Sequence, residues 1–176
     1  MDIIRSFLIV VFLFQGSALS VFGQEEVLWK ADKRLYWKDF KGKVPIGASA
    51  AAVTASGINY QFSAYYENNE MKVDYEVQAF FYPTKSWYRP KICNEITLAH
   101  ERLHFDITEL FARKMRMEMA KTQFAKNSKA KVKSLYKSIL KALNDYQNEY
   151  DMETDFSRNL EKQKAWTAKI KKALNN

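Results

Sequence analysis

The chain has 176 residues, of which 47% are hydrophobic and 15% aromatic, with only 5 Gly and 3 Pro. This length corresponds to one domain, and the composition excludes wholesale disorder and collagen-like or low-complexity classes. One Cys and two His exclude an internal disulfide framework, a multi-Cys zinc site and an all-His metal site within one chain. Basic residues outnumber acidic ones by 28 to 20, which gives a net charge of +8.

The first residues are typical of a secretory signal peptide. Residues 7–14 read FLIVVFLF, follow a short start that contains Arg5, and precede a stretch of small residues that ends at Gly23. We predict a signal peptide over residues 1–23 and an exported mature domain over residues 24–176, located in the periplasm or outside the cell. The alternative is an uncleaved N-terminal membrane anchor, because residues 3–22 are nearly long enough to span a bilayer.

The first half of the mature chain has the pattern of strands. Residues 57–66 and 71–81 alternate apolar and polar side chains, and an Asn-rich segment of four residues separates them. This pattern predicts a β-hairpin with one buried face, whose edge can pair with an extended peptide. Residues 48–55 are a weaker candidate for a further strand, and residues 28–40 for an irregular lead-in or first strand.

The second half has the pattern of helices. It follows a predicted loop bracketed by Pro83 and Pro90, and Asn94 offers an N-cap. Apolar residues then recur at helical spacing. We predict an α+β, zincin-like fold, in which a small antiparallel sheet (strand half, about 27–82) precedes a long helical hairpin and a C-terminal helix (helical half, about 91–174). The first helix lies within residues 91–119, which contain no Pro or Gly, and the other two span residues 129–150 and 160–174.

One motif on the first predicted helix indicates a metal site. Residues 100–104 read His-Glu-Arg-Leu-His, an H-E-x-x-H motif. Residues four apart share a helical face with Cβ atoms about 5–6 Å apart, so His100 and His104 can bind one zinc ion at about 2.0–2.1 Å. Glu101 borders that face and is the candidate general base for a water that the metal activates. The alternative is a pair of partly buried histidines beside a salt-bridged Glu.

A third ligand is expected from the returning helix. Catalytic zinc usually has three protein ligands. The 23 residues from His104 to the break at Asn127 make about 35 Å of helix, so an equal return brings residues 149–156 level with the histidines. The alternative is that the acidic residues there form a solvated helix end. The candidate carboxylate ligands are Asp151, Glu153 and Asp155.

The run LAHERLHFDI at residues 98–107, with Gln-Asn-Glu-Tyr-Asp-Met-Glu-Thr at 147–154, resembles a bacterial family called domain of unknown function 922. Members show H-E-x-x-H-F-D-I and a later Q-x-x-Y-D-x-x-T-x-H, and are regarded as predicted secreted zinc-dependent proteases. Residues 37–42 and 86–87 also resemble family positions, so the resemblance extends over about residues 29–166. It implies a zinc metallopeptidase that acts on a peptide or protein substrate.

The chain departs from the family pattern at one position. Phe156 stands where the family has its late His. If that His is a ligand, this site uses a carboxylate instead, binds metal weakly or is inactive. The alternative function is therefore a catalytically inactive relative that acts as a cell-envelope binding or interaction module.

Three other positions have two interpretations each. Tyr150 matches the family tyrosine and is a candidate catalytic residue that donates to an oxyanion, or else a packed aromatic at a helix end. Asp106 either orients a ligand histidine or is a charge on the helix surface. Trp87 lines a cleft or packs in the core. Cys93, a lone thiol, is predicted to be buried.

Lysines concentrate at the tip of the helical hairpin. They form a solvated face or, alternatively, contact an anionic envelope surface. We predict no nucleic-acid binding, because stacking aromatics are not interleaved with these lysines. The sequence does not determine the oligomeric state or the substrate specificity. The lysines are Lys114, Lys121, Lys126, Lys129, Lys131, Lys133, Lys137 and Lys141.

Overall fold

A computed structural model describes residues 25–68, 70–125 and 127–175, and the predicted signal peptide lies outside this range. Two short sheets precede three helices, so the predicted α+β class is confirmed. No helix in the described part of the chain is long and apolar enough to cross a membrane. The elements are β1 (Val27–Leu28), β2 (Ala52–Val53), β3 (Ser56–Glu67), β4 (Glu70–Phe81), β5 (Trp87–Tyr88), α1 (Glu95–Lys121), α2 (Ser128–Glu153) and α3 (Leu160–Asn175).

The predicted hairpin is formed by β3 and β4. They pair antiparallel from Ser56–Phe81 to Glu67–Glu70, so Glu67 and Glu70 belong to the strands and not to the predicted four-residue turn. Asn68 has a φ of 50°, the left-handed conformation that two-residue hairpin turns favour and Asn tolerates. The alternation is also confirmed, because one face is buried at its base. That face contributes Ile58, Val77, Ala79 and Phe81 to the core.

A second sheet forms where the sequence predicted a loop. β5 lies between Pro83 and Pro90 and pairs antiparallel with β2, with Val53 opposite Trp87. A strand of two residues is too short to show a period-2 pattern, so the sequence gives no signal for it. Trp87 is buried, which supports the core-packing interpretation.

α1 is the central helix of the domain. The Asn94 side chain caps it by accepting hydrogen bonds from the backbone N–H groups of Ile96 and Thr97, as predicted. β3 and β4 pack against α1, and α2 and α3 pack against it as well. Every residue from Leu103 to Ala112 is consequently buried. The returning α2 brings its C-terminal end to the H-E-x-x-H turn of α1.

Asp106 links the N-terminal segment to α1. Its buried carboxylate accepts hydrogen bonds from Trp29 Nε1 at 2.9 Å and from the Arg34 guanidinium at 2.8 Å. Neither interpretation from the sequence describes this role, because Asp106 is neither a surface charge nor hydrogen-bonded to a histidine. The partner segment lies more than 70 residues earlier in the chain, so spacing alone does not reveal it.

Candidate metal centre

Two histidines and one aspartate converge where α1 and α2 meet. His100 Nε2 and His104 Nε2 lie 3.2 Å apart, and Asp151 Oδ1 lies 3.0 Å and 2.9 Å from them. Ligand atoms about 2.0–2.1 Å from one ion in tetrahedral geometry are about 3.3 Å apart, so the three atoms are spaced to hold a single small cation. The structure thus brings together three of the predicted metal ligands.

The cluster is largely buried. His100 and His104 are 4% and 8% exposed, whereas the Asp151 side chain is 26% exposed. Asp151 is thus the most accessible of the three residues.

The other ring nitrogen of each histidine faces an amide oxygen. His100 Nδ1 lies 3.0 Å from Gln163 Oε1, and His104 Nδ1 lies 2.8 Å from Gln147 Oε1. Because an amide oxygen only accepts, these contacts favour the proton on each Nδ1 and a lone pair on each Nε2 of a neutral ring. Two lone pairs and the carboxylate of Asp151 then face one another, an arrangement that a cation between them stabilises.

The pKa shifts of His104 and Asp151 also favour a positive charge within the cluster. Burial alone would lower the pKa of His104, but its hydrogen bond with Asp151 and the negative charge of Glu101 raise it above its ordinary value. Burial alone would raise the pKa of Asp151, but hydrogen bonds with His100 and His104 hold it well below its usual range. A proton or a metal ion can supply the positive charge.

Glu101 follows His100 in the chain, and Thr54, the residue after β2, contacts its side chain. Its carboxylate is buried, and its Oε2 accepts a 2.7 Å hydrogen bond from the Thr54 hydroxyl. The negative charge of Glu101 contributes to the raised pKa of both His104 and Tyr150. The Glu101 carboxylate is thus fixed in one orientation next to His100.

Tyr150 packs behind the histidines. It is fully buried, and its ring stacks on His100 at 4.5 Å between centroids and meets His104 edge-on at 5.0 Å. Its hydroxyl donates to Gln163 Oε1 at 2.8 Å, and burial raises its pKa. The hydroxyl also lies 3.3 Å from the backbone carbonyl of His100, so its acceptors are inside the core and this placement favours the packing interpretation over an oxyanion donor.

The other two predicted carboxylates lie elsewhere. Glu153 accepts a hydrogen bond from Trp166 Nε1 at 2.9 Å and lies 3.7 Å from the ammonium of Lys162. Asp155 forms a salt bridge with Arg158. Two residues along a helix correspond to about 200° of rotation, which turns Glu153 away from the face of Asp151, and Asp155 lies beyond the end of α2.

Phe156 is 59% exposed and has a φ of 51°. Its neighbours Asp155 and Ser157 also have positive φ, at 48° and 77°. Because Asp151 already supplies the third ligand atom of the cluster, the group of three forms without any contribution from residue 156.

Three residues around the centre were not assigned a role from the sequence. Gln147 lies one helical turn before Asp151 and so shares its face, a spacing that could have revealed it. Thr54 lies in a segment with only a weak strand signal, and Gln163 lies on α3 outside any motif. Only the packing of β2 and α3 against α1 brings these two into the site. Cys93, predicted to be buried, is half-buried and contacts Ala51 O.

The fold and the site define an α+β protein with a largely buried His–His–Asp group that could hold a metal ion. Residues 87–158 match the model of a family described as bacterial protein of unknown function (DUF922). The similarity to this family that the two motifs predicted is confirmed over this range, which contains His100, His104 and Asp151. The matched range is less than half of the chain and excludes Thr54 and Gln163. No curated protein and no solved structure matched the chain.

Proposed function

We propose that this protein is an exported zinc-dependent metallopeptidase. In this proposal His100, His104 and Asp151 hold the zinc ion, and Glu101 is the general base. The observation that supports it best is that His100 Nε2, His104 Nε2 and Asp151 Oδ1 lie within 3.2 Å of one another. The buried Glu101 follows His100 in the chain. Two histidines and one carboxylate are a known catalytic zinc set.

In this proposal, the zinc ion and the protein side chains have separate roles in the reaction. Zinc, when bound, polarises a carbonyl and lowers the pKa of water towards 7. Glu101 accepts the proton from the attacking water and returns it to the leaving amine. Thr54 keeps the Glu101 carboxylate in one orientation, so less reorganisation is needed when the proton moves. The buried setting of the histidines and Glu101 strengthens these electrostatic interactions.

A peptide substrate is supported by the strand that borders Glu101. β2 pairs with β5 on one side, and no other strand in the described part of the chain pairs with it. The residue after β2, Thr54, contacts Glu101, so a chain added to the open edge of β2 would lie next to the general base. Main-chain pairing with a strand edge recognises an extended peptide without requiring a particular sequence.

The alternative function is an inactive relative that binds a component of the cell envelope. The exposed Phe156, at the position of the family histidine, is the observation that favours it. The binding activity of such a protein would not change when Glu101 is replaced.

The proposal is tested by metal content and peptide cleavage. Protein purified without a His tag should contain about one zinc ion per chain by elemental mass spectrometry, and His104→Ala should lose it. The wild type should cleave members of a peptide library, and Glu101→Gln should keep the zinc but lose turnover by about 10²–10⁴-fold. Absence of zinc after dialysis against zinc would reject the metal site. Zinc-loaded protein without turnover would instead favour the binding module.

A further inference from the structure

We propose that Gln147 and Gln163 are positioning residues that fix the Nδ1–H tautomer of His104 and His100. This makes α3 a part of the metal centre. The inference rests on the proposed metal site, and it extends that site beyond the matched segment, which ends at residue 158. A neutral imidazole must be protonated on the nitrogen remote from the metal, and the partner of that nitrogen selects the tautomer.

The orientation of the Gln147 amide follows from a chain of hydrogen bonds. The Thr108 hydroxyl donates to the backbone carbonyl of His104 at 3.0 Å, so its oxygen is left to accept. It accepts from Gln147 Nε2 at 3.2 Å and from the Ser56 hydroxyl at 2.7 Å. The amide oxygen of Gln147 therefore faces His104 Nδ1, at 2.8 Å.

The orientation of the Gln163 amide is fixed in a similar way. Its Oε1 accepts from the Tyr150 hydroxyl at 2.8 Å and lies 3.0 Å from His100 Nδ1. The side chain is buried, with its Nε2 directed towards the Thr167 hydroxyl at 3.5 Å. The Tyr150 hydroxyl and His100 Nδ1 thus both face Gln163 Oε1. Only the Nδ1–H tautomer of His100 can donate to this oxygen.

Amides suit this site because they are neutral. The centre already contains two carboxylates, because Asp151 contacts both histidines and Glu101 lies next to His100 in the chain. A glutamine orients the ring without adding a third negative charge. Trp166, also on α3, packs on Tyr150 at 5.2 Å and donates to Glu153, so α3 is anchored where Gln163 reaches the site.

The test compares two substitutions at position 163. Gln163→Met keeps the length of the side chain but removes the acceptor, and should weaken zinc binding about 10–100-fold in a competition titration. Gln163→Glu keeps the acceptor and should bind zinc at least as tightly as the wild type. Equal weakening by both variants, or no weakening by Gln163→Met, would overturn the inference.

A metal-free measurement separates this inference from the peptidase proposal. The chain has only two His, so imidazole ¹⁵N NMR resolves both rings, at a pH at which both are neutral. Wild-type protein should show Nδ1–H at both rings, and Gln163→Met should change His100 while His104, held by Gln147, serves as the internal reference. Unchanged His100 signals would reject the role of Gln163, whereas a changed tautomer without peptide cleavage would reject only the peptidase.

The matched control is Lys164→Met, at an exposed position of α3 next to Gln163. This change leaves the contacts of Gln163 with Tyr150, His100 and Thr167 in place. Zinc affinity and the His100 tautomer should both match the wild type. A loss equal to that of Gln163→Met would show that local packing, rather than the acceptor, controls the site.

Discussion

Asp151 Oδ1 lies 2.9 Å from His104 Nε2, although 47 residues separate the two in sequence. The contact joins the first and last parts of a helical hairpin, so it depends on the return of α2 along α1. It also defines how the centre can be tested, because each of the neighbouring acidic residues has a different partner.

The first prediction separates the three carboxylates that the sequence left open. Asp151→Asn should abolish stoichiometric zinc binding, because it removes the anionic ligand atom. Glu153→Gln and Asp155→Asn should bind zinc like the wild type, since their carboxylates contact Trp166 and Arg158 instead. Isothermal titration with zinc measures all three. Thermal unfolding gives a second readout, because zinc at 100 times its Kd should stabilise only the binding-competent forms, by about 2.7 kcal/mol.

Thr54→Val tests whether β2 positions the general base. The substitution preserves shape but removes the hydrogen bond to Glu101 Oε2. Peptide turnover should fall about tenfold, which is less than the 10²–10⁴-fold expected for loss of the base itself. Zinc affinity should not change. Thr122→Val, which removes a hydroxyl bonded only to a helix carbonyl far from the site, is the control. Equal turnover of both variants would contradict a role for Thr54.

Tyr150→Phe distinguishes packing from oxyanion stabilisation. The hydroxyl donates to Gln163, so its removal should cost about 1 kcal/mol of unfolding free energy, measured by urea titration. Turnover of the zinc-loaded protein should fall less than tenfold. A loss of 10²–10³-fold, the size expected for an oxyanion donor, would support the catalytic interpretation.

Asp106→Ala should affect stability alone. The change leaves Trp29 Nε1 and Arg34 without their acceptor and should lower the unfolding free energy by about 2 kcal/mol. Zinc affinity should remain that of the wild type, because Asp106 contacts neither His100 nor His104. A weakened affinity in the folded variant would instead revive the interpretation that Asp106 orients a ligand.

Phe156→Gly should stabilise the protein. A non-glycine residue at a φ of 51° is disfavoured, whereas glycine adopts this region freely. The expected gain is about 0.5–1 kcal/mol, or a rise of a few degrees in Tm by calorimetry. Met152→Gly, at an exposed position within α2, should lower Tm and is the matched control. An equal decrease in the Tm of both variants would show that the positive φ of Phe156 does not destabilise the protein.

Much of the fold was predictable because its signals are local. The hairpin followed from alternation over two runs of about ten residues, and the helices from apolar spacing over longer runs. β5 was not predictable, because two residues cannot show a period and its partner lies 34 residues earlier. The Asn94 cap was predictable because its acceptor and its two donors lie within three residues.

The sequence by itself determined the spacing of His100, Glu101 and His104, because the geometry of one helix places residues four apart on one face. From the lengths of the two helices, it also placed the third ligand among the acidic residues of 149–156. Only the tertiary structure selected Asp151 among them, because the rotation of α2 decides which carboxylate faces α1. It alone brought Thr54 and Gln163 to the site, since contacts between distant segments depend on how β2 and α3 pack against α1.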